Sequence, residues 1–249
     1  MTEAIATVLP DEALRAASVA LWPAGAAPWT IQCDFDGTIS RLDVIDTLLE
    51  RFGRPGWVEL ENAWENGEIG SRDCMQGQVA LLDMSADELH AHLDALEIDP
   101  AFPAFVAAAE ARGLPLQVVS DGLDYAIRHI LRRHGLGHLP VIANRLTQSG
   151  ARSWRLDSPH ATADCARASG TCKCAQLADV RGAQGRVLFV GDGKSDFCVS
   201  GRADLVLAKG RLIEHCRRNG YPFAAFAGFH ETLGWLDELL AERQERLCV

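Results

Sequence analysis

Asp34 and Asp36 stand two residues apart in the string Ile31-Gln32-Cys33-Asp34-Phe35-Asp36-Gly37-Thr38-Ile39-Ser40. One carboxylate in such a pair can serve as nucleophile or metal ligand while the other moves a proton. From Trp29 to Phe35 the chain is a short apolar run with one polar interruption, long enough for a buried strand. Unpaired charge at the end of a buried strand is costly, so two acids there point to chemistry. The carboxyl ends of strands are also where open α/β sheets form their ligand sites. The plainer reading is a turn with an aspartate helix cap.

Two more apolar runs end in polar turns. Leu116 to Val119 leads into Ser120-Asp121-Gly122, and Arg186 to Val190 leads into Gly191-Asp192-Gly193-Lys194-Ser195-Asp196. Parallel strands would bring all three turns to one sheet edge, which Lys173, near a helix start, could also reach. Asp34, Asp192 and Asp196 would then form a carboxylate cluster suited to Mg²⁺, a hard cation that takes oxygen ligands. Ser120, Lys173 and the N–H groups at helix starts would supply donors for a phosphoryl group. Singly, each has a dull reading: Ser120 as a cap, Lys173 as a solvated lysine, Asp192-Gly193 as a turn. The weight lies in four such features along one chain.

The elements needed to position these residues are legible as pattern. After Asp99-Pro100 strands and helices alternate, which implies an α/β fold with a mainly parallel sheet covered on both faces. The expected helices are Ala101 to Arg112, Leu123 to His134, Leu212 to Arg218 and Thr232 to Leu240. The expected strands include Val141 to Asn144, a hairpin strand at Ser153 to Leu156, Leu205 to Ala208 and Phe223 to Ala227. Between Arg41 and Ile98 only helical spacing appears. Leu42, Ile45, Leu48, Leu49 and Phe52 define one helix, and Ser85 with Glu88 reads as a capping box for another. The expected division is a lead at 1–28, a core of 29–40 and 99–249, and a helical insertion at 41–98.

Asp34-Phe35-Asp36-Gly37-Thr38, Ser120, Lys173, and Gly191-Asp192-Gly193-Lys194-Ser195-Asp196 resemble, in order, the four motifs of the haloacid dehalogenase superfamily. The resemblance spans nearly the whole chain from Trp29. It implies a Rossmann-like three-layer core and hydrolysis through an aspartyl-phosphate. Asp34 would be the nucleophile, and Asp36 would protonate the leaving alcohol and then activate water. Ser120 and Lys173 would hold the phosphoryl group, in a pocket that also includes Thr38, Asp121 and Gly122. Asp34, the carbonyl of Asp36, and Asp192 would hold Mg²⁺, with Asp196 in support. An acid at Asp36 argues against a true dehalogenase, since those members lack one at this position.

The insertion falls where the phosphoserine-phosphatase-like branch carries a cap, a lid that would exclude water and select the leaving group. Two departures weaken phosphoserine as substrate: Asp43 stands where that branch has Glu, and Gln76 where it has Arg, with Arg72 nearby but out of register. Asp43 and Arg72 are the candidate cap contacts. The chain more closely resembles the methionine-salvage phosphatases that act on 2-hydroxy-3-keto-5-methylthiopentenyl-1-phosphate. The features are Asp43, Gly67-Glu68-Ile69, the cysteine-rich run before Lys173, and Ala203-Asp204-Leu205-Val206 with Cys216 beyond. Phosphoethanolamine and phosphocholine phosphatases of the same branch share a turn like Gly191 to Cys198. A regulator that binds phosphate without turnover is the reading of a different class.

Composition bounds the rest. The 249 residues carry 34 acidic against 24 basic side chains, a formal charge of −10, which argues against nucleic acid or an anionic membrane as partner. A small phosphorylated metabolite remains compatible, since a local cluster with a metal can reverse the field. The first 28 residues show neither a basic leader nor a spanning apolar stretch, so a cytoplasmic protein with reduced cysteines is expected. Cys165, Cys172 and Cys174 with His160 crowd the segment before Lys173, but Cys-x-Cys is a poor match to a zinc knuckle. Gly193-Lys194-Ser195 fails as a nucleotide phosphate loop because Leu188 stands where that motif needs glycine. His90-Ala91-His92 and the run Arg128, His129, Arg132, Arg133, His134 read as solvated helix faces. Trp57 and Trp64, taken as exposed, would suit a homodimer.

Overall fold

The computed structural model describes residues 28–244, so the expected N-terminal lead lies, apart from Pro28, outside the described residues. The strands are β1 (Trp29–Cys33), β2 (Leu116–Leu123), β3 (Val141–Gln148), β4 (Trp154–Asp157), β5 (Arg186–Gly191), β6 (Leu205–Ala208) and β7 (Phe223–Ala225). They form a seven-stranded sheet in the order β4-β3-β2-β1-β5-β6-β7. β2 runs parallel to β3, and β5, β6 and β7 run parallel in turn, while β4 folds back antiparallel on β3. Val187 to Val190 are all buried, as expected of a parallel strand covered on both faces. β4 instead alternates, with Trp154 and Leu156 buried and Arg155 exposed, as befits an edge strand.

Two compact units are present. Among the described residues, one joins 28–32 with Asp99–Leu116 and 177–244. It contains β5 to β7 and the helices α5 (Phe102–Ala111), α8 (Phe197–Ser200), α9 (Gly210–Asn219) and α10 (Phe229–Gln244). Its core is aromatic: the Phe229 ring lies 4.9 Å from Phe102 and 5.0 Å from Phe105, centre to centre. Asp99 fastens both helices, accepting hydrogen bonds from the N–H groups of Ala101 and Phe229.

The second unit comprises Cys33–Ile98 and Gln117–Gln176. Its helices are α1 (Val44–Phe52), α2 (Trp57–Glu65), α3 (Ser71–Ala80), α4 (Ala86–Leu93) and α6 (Asp124–Arg133), and it includes the start of α7 (Lys173–Gly182). The helical excursion begins and ends at one point, because Ser40 pairs with Ile98 in an isolated antiparallel bridge. α1 buries Ile45, Leu48 and Leu49 of the predicted stripe and adds Val44, whereas Leu42 lies before the helix and is exposed and Phe52 is half-buried. Gly53 closes it without a left-handed turn; a Cβ there would meet the Leu49 carbonyl oxygen at 2.4 Å. The capping box of α4 is formed, with Glu88 N–H donating to Ser85 Oγ and Ser85 N–H donating to Glu88 Oε2.

Four expectations need correction. Asp121-Gly122 does not open the next helix: β2 continues to Leu123, its register with β3 shifts between Val119 and Leu123, and α6 begins at Asp124. The basic run on α6 is not merely solvated. Arg133 donates to the carbonyls of Leu93, the last residue of α4, and of Leu96 in the turn beyond it, and His129 pairs with Asp94 at 2.8 Å. The histidines of α4 are likewise structural. His90 bonds the Tyr125 hydroxyl and stacks on His129, while His92 is buried and bonds Thr47 Oγ1 at 2.9 Å. Burial, and then the Arg51 charge, hold the His92 imidazole below its ordinary pKa. Trp57 and Trp64 are half-buried rather than exposed.

Candidate active site

Asp34 follows the last residue of β1, and a tight turn carries the chain from it into the excursion. Phe35 O accepts from the N–H groups of Thr38, Ile39 and Ser40, a closure that Gly37 permits at φ +70°. Ser40 Oγ donates onto Phe35 O and Leu42 O, and Thr38 is buried inside the turn. The Asp34 side chain is fixed at both oxygens. Oδ1 accepts the Phe35 N–H at 2.8 Å, and Oδ2 lies 2.8 Å from Lys173 Nζ.

That ion pair is the clearest departure from a structural reading. Lys173 is the first residue of α7, where the helix dipole disfavours a cation, and its side chain is only 2% exposed. A buried charge needs a partner, and Asp34 supplies it. An ammonium so placed can neutralise charge on whatever meets the Asp34 carboxylate.

Asp36 is oriented differently. Its Oδ1 accepts the N–H of Val44, the first residue of α1, at 2.9 Å, and Oδ2 lies 3.4 Å from Ser120 Oγ. Ser120 Oγ in turn accepts the Gly122 N–H at 2.9 Å. A Cβ on Gly122 would sit 2.2 Å from Asp36 Oδ2, so this backbone approach requires glycine. Asp34, Asp36, Ser120, Gly122 and Lys173 thus come together within one unit, with donors and acids on a shared face.

Asp121 faces elsewhere. Its carboxylate is buried and accepts from Ser71 Oγ, Asn144 Nδ2 and Thr171 N–H. Burial raises its pKa, against the lowering effect of those three donors and Lys173. Sequence reasoning missed Ser71, Asn144 and Thr171; the available signal was a polar residue, Asn144, closing the apolar run of β3.

In the other unit, Asp196 shapes the turn after β5. Its Oδ2 accepts the N–H groups of Asp192 and Gly193 at 2.9 and 3.0 Å, and a Cβ on Gly191 would meet that oxygen at 2.5 Å.

Of the candidate cap contacts, Asp43 caps α1, accepting the N–H groups of Ile45 and Asp46. Burial, then the charges of Asp36 and Asp46, raise its carboxyl well above the ordinary range, although those two N–H bonds act to lower it. A folded-state pKa above the unfolded value gives stability that is present at low pH and lost as pH rises through the folded pKa. Asp43→Asn keeps a good cap and removes the charge. Its melting temperature should exceed that of the parent by a few degrees at pH 7 to 8 and converge with it near pH 4. A gap independent of pH, or of opposite sign, would refute this account. Arg72 lies partly exposed beside Asp73, and Gln76 is exposed.

Among the described residues, no three of Cys165, Cys172, Cys174 and His160 bring ligand atoms within 4.8 Å of one another, although the Cys165 and Cys172 side chains share a hydrogen bond. Cys172 and Cys174 are buried, and the Cys172 N–H donates to the His160 carbonyl to anchor the segment before Lys173.

A family model described as haloacid dehalogenase-like hydrolase matches residues 31–200, and the chain belongs to that family. Among its relatives is the 2-hydroxy-3-keto-5-methylthiopentenyl-1-phosphate phosphatase of Exiguobacterium sp. (strain ATCC BAA-1283 / AT1b), 29% identical over 207 residues that cover 82% of this chain and 95% of that protein. The protein of the same name from Geobacillus kaustophilus (strain HTA426) is 29% identical over 210 residues, covering 83% and 94%. Of solved structures, a phospho-aspartyl intermediate analogue of phosphoserine phosphatase superposes with a TM-score of 0.65 at 18% identity, covering 84% of this chain and 99% of that one. This last likeness concerns the fold. Among the described residues no helix is long and apolar enough to cross a membrane.

Proposed function

We propose that the protein is a Mg²⁺-dependent phosphomonoesterase that hydrolyses a small-metabolite phosphate through an aspartyl-phosphate on Asp34. The observation that carries this reading is the buried Lys173–Asp34 pair beside Asp36 and Ser120. A carboxylate held against an ammonium, with hydroxyl and amide donors around it, suits attack on a phosphoryl group.

In this reading Asp34 attacks phosphorus, a P–O(Asp34) bond forms, and the ester P–O bond breaks. Asp36, protonated, gives its proton to the departing alkoxide. As a carboxylate it then takes a proton from water, whose oxygen attacks phosphorus and expels the Asp34 carboxylate. Lys173 and the Ser120 hydroxyl bind the phosphoryl oxygens, the Gly122 N–H orients that hydroxyl, and Thr38 shapes the turn that presents Asp34 and Asp36. The donor set Asp34, Asp192 and Asp196, three carboxylates with the Asp36 carbonyl, is all hard oxygen and fits Mg²⁺ better than a softer metal. When bound, the ion would neutralise phosphoryl charge and orient the group for in-line displacement.

The relatives' names favour the methylthio ketose phosphate as substrate. Residues 41–98 are the proposed lid, and Asp43 and Arg72 the residues proposed to meet the leaving group. Phosphoserine is disfavoured because exposed Gln76 offers no guanidinium for a substrate carboxylate. The test is phosphate release from that ketose phosphate, phosphoethanolamine, phosphocholine and phosphoserine, with Mg²⁺ or with EDTA. Metal-dependent release from the ketose phosphate alone is the expected result. Release that EDTA leaves untouched would remove the metal, and release from none would favour a binding protein.

A further inference from the structure

We propose that Asp121 is a positioning residue for phosphoryl binding: its carboxylate ties the start of α3 to the segment that delivers Lys173. This rests on the reading of Lys173 as a phosphoryl ligand.

The geometry has three parts. First, Asp121 sits between Ser120 and Gly122, but strand alternation sends its side chain to the opposite face, away from the phosphoryl donors. A carboxylate would repel a phosphate dianion in any case. Second, its two oxygens join separate stretches of chain. Oδ2 accepts Ser71 Oγ–H at 2.5 Å from the first residue of α3, and Oδ1 accepts the Thr171 N–H at 2.8 Å, two residues before Lys173. Third, Asn144 Nδ2 braces the junction, donating to Asp121 Oδ1 at 3.0 Å and to the Asp121 carbonyl at 2.5 Å.

The same two stretches touch again beside this junction. Arg72 N–H donates to the Ala168 carbonyl at 3.0 Å, and a Cβ on Gly70 would lie 2.5 Å from Ala168 Cβ. Ala168 itself holds a left-handed φ of +46°, uncommon for a residue with a side chain. At Gly170 a Cβ would lie 2.2 Å from Asn144 Oδ1 and 2.7 Å from Ser158 Oγ. The segment is therefore pressed close against α3 and β3 over several residues, and the buried acid is its charged fastening. A lysine on a four-carbon stem places its ammonium only as well as its backbone is placed. Misplacement by about 1 Å can cost about 100-fold in rate.

The test compares Asp121→Ala, Asp121→Asn, Ser71→Ala and the Asp121→Ala/Ser71→Ala double variant, with Lys173→Ala as reference. The readouts are kcat/KM for 4-nitrophenyl phosphate with Mg²⁺ and the inhibition constant of inorganic phosphate, on protein shown folded by circular dichroism. Asp121→Ala should lower kcat/KM about 10- to 100-fold and weaken phosphate inhibition in parallel. Asp121→Asn, which keeps an acceptor for Thr171, should retain most activity. Ser71→Ala should cost less than Asp121→Ala and add nothing to it, since both act through one junction. A folded Asp121→Ala with the parent's kcat/KM and phosphate inhibition would overturn the proposal. Should Asp121→Ala fail to fold, Ser71→Ala decides: parental values for both readouts overturn the proposal, and a parallel loss supports it. If Lys173→Ala keeps the parent's phosphate inhibition, the reading of Lys173 falls and takes this inference with it. Loss in Lys173→Ala without loss in the Asp121 and Ser71 variants defeats this inference alone.

Discussion

Replacing Asp34 by Asn is expected to lower phosphate release by about 10⁴-fold or more, a barrier increase of about 5 kcal/mol. An amide cannot form the aspartyl-phosphate, and it cannot replace the carboxylate charge that Asp34 sets 2.8 Å from Lys173 Nζ. The substitution is nearly isosteric, and the amide oxygen can still accept the Phe35 N–H that now holds Oδ1. Folding will nevertheless register the change. Lys173 is buried, and removing the partner of a buried ion pair typically costs about 3 to 5 kcal/mol. The expected signature is thus two-fold: a folded protein of lower melting temperature, and turnover near background for every phosphoester the parent hydrolyses. Inorganic phosphate supplies an anion in the missing carboxylate's place, so it should restore more of the melting temperature in Asp34→Asn than it adds to the parent. Substantial turnover by a folded Asp34→Asn would transfer the nucleophile elsewhere.

Legibility in the sequence followed the range of the interactions. Lys173 opens α7, while the two acids after β1, the serine after Val119 and the acids after β5 all sit at ends of apolar runs. There composition alone makes a charge or hydroxyl conspicuous. The capping box of α4 was legible for a similar reason, since both partners lie within four residues. What escaped was long-range. The Ser71–Asp121–Thr171 junction joins residues 50 apart in sequence on either side of Asp121, and none of them is unusual where it stands. The contacts of α6 with α4 escaped likewise: a basic helix face looks solvated until the carbonyls of Leu93 and Leu96 are placed beneath Arg133. The extension of β2 through Asp121-Gly122 failed for a local reason. Asp-Gly ordinarily signals a turn, but here the aspartate is held by distant donors and the glycine by the close approach of Asp36.

Asp36→Asn should divide the two halves of the reaction, and the outcome depends on the leaving group. An asparagine can keep the Val44 N–H bond through its oxygen, so the turn and the start of α1 stay in place. What it loses is the proton, first as acid and then as base. For an alkyl phosphate, whose alkoxide must be protonated to leave, turnover should fall by about 10²- to 10⁴-fold, the usual worth of general acid–base catalysis. For 4-nitrophenyl phosphate, whose phenolate leaves unassisted, the first step should survive while the second, which needs activated water, is slowed. Mixing Asp36→Asn with that ester should give a burst of nitrophenolate approaching one equivalent of enzyme, then slow turnover. Mass spectrometry of the quenched protein should find phosphate on the peptide bearing Asp34. Equal losses with both esters and no burst would mean that Asp36 acts by holding the turn rather than by moving a proton. The Val44 bond would then be its main contribution.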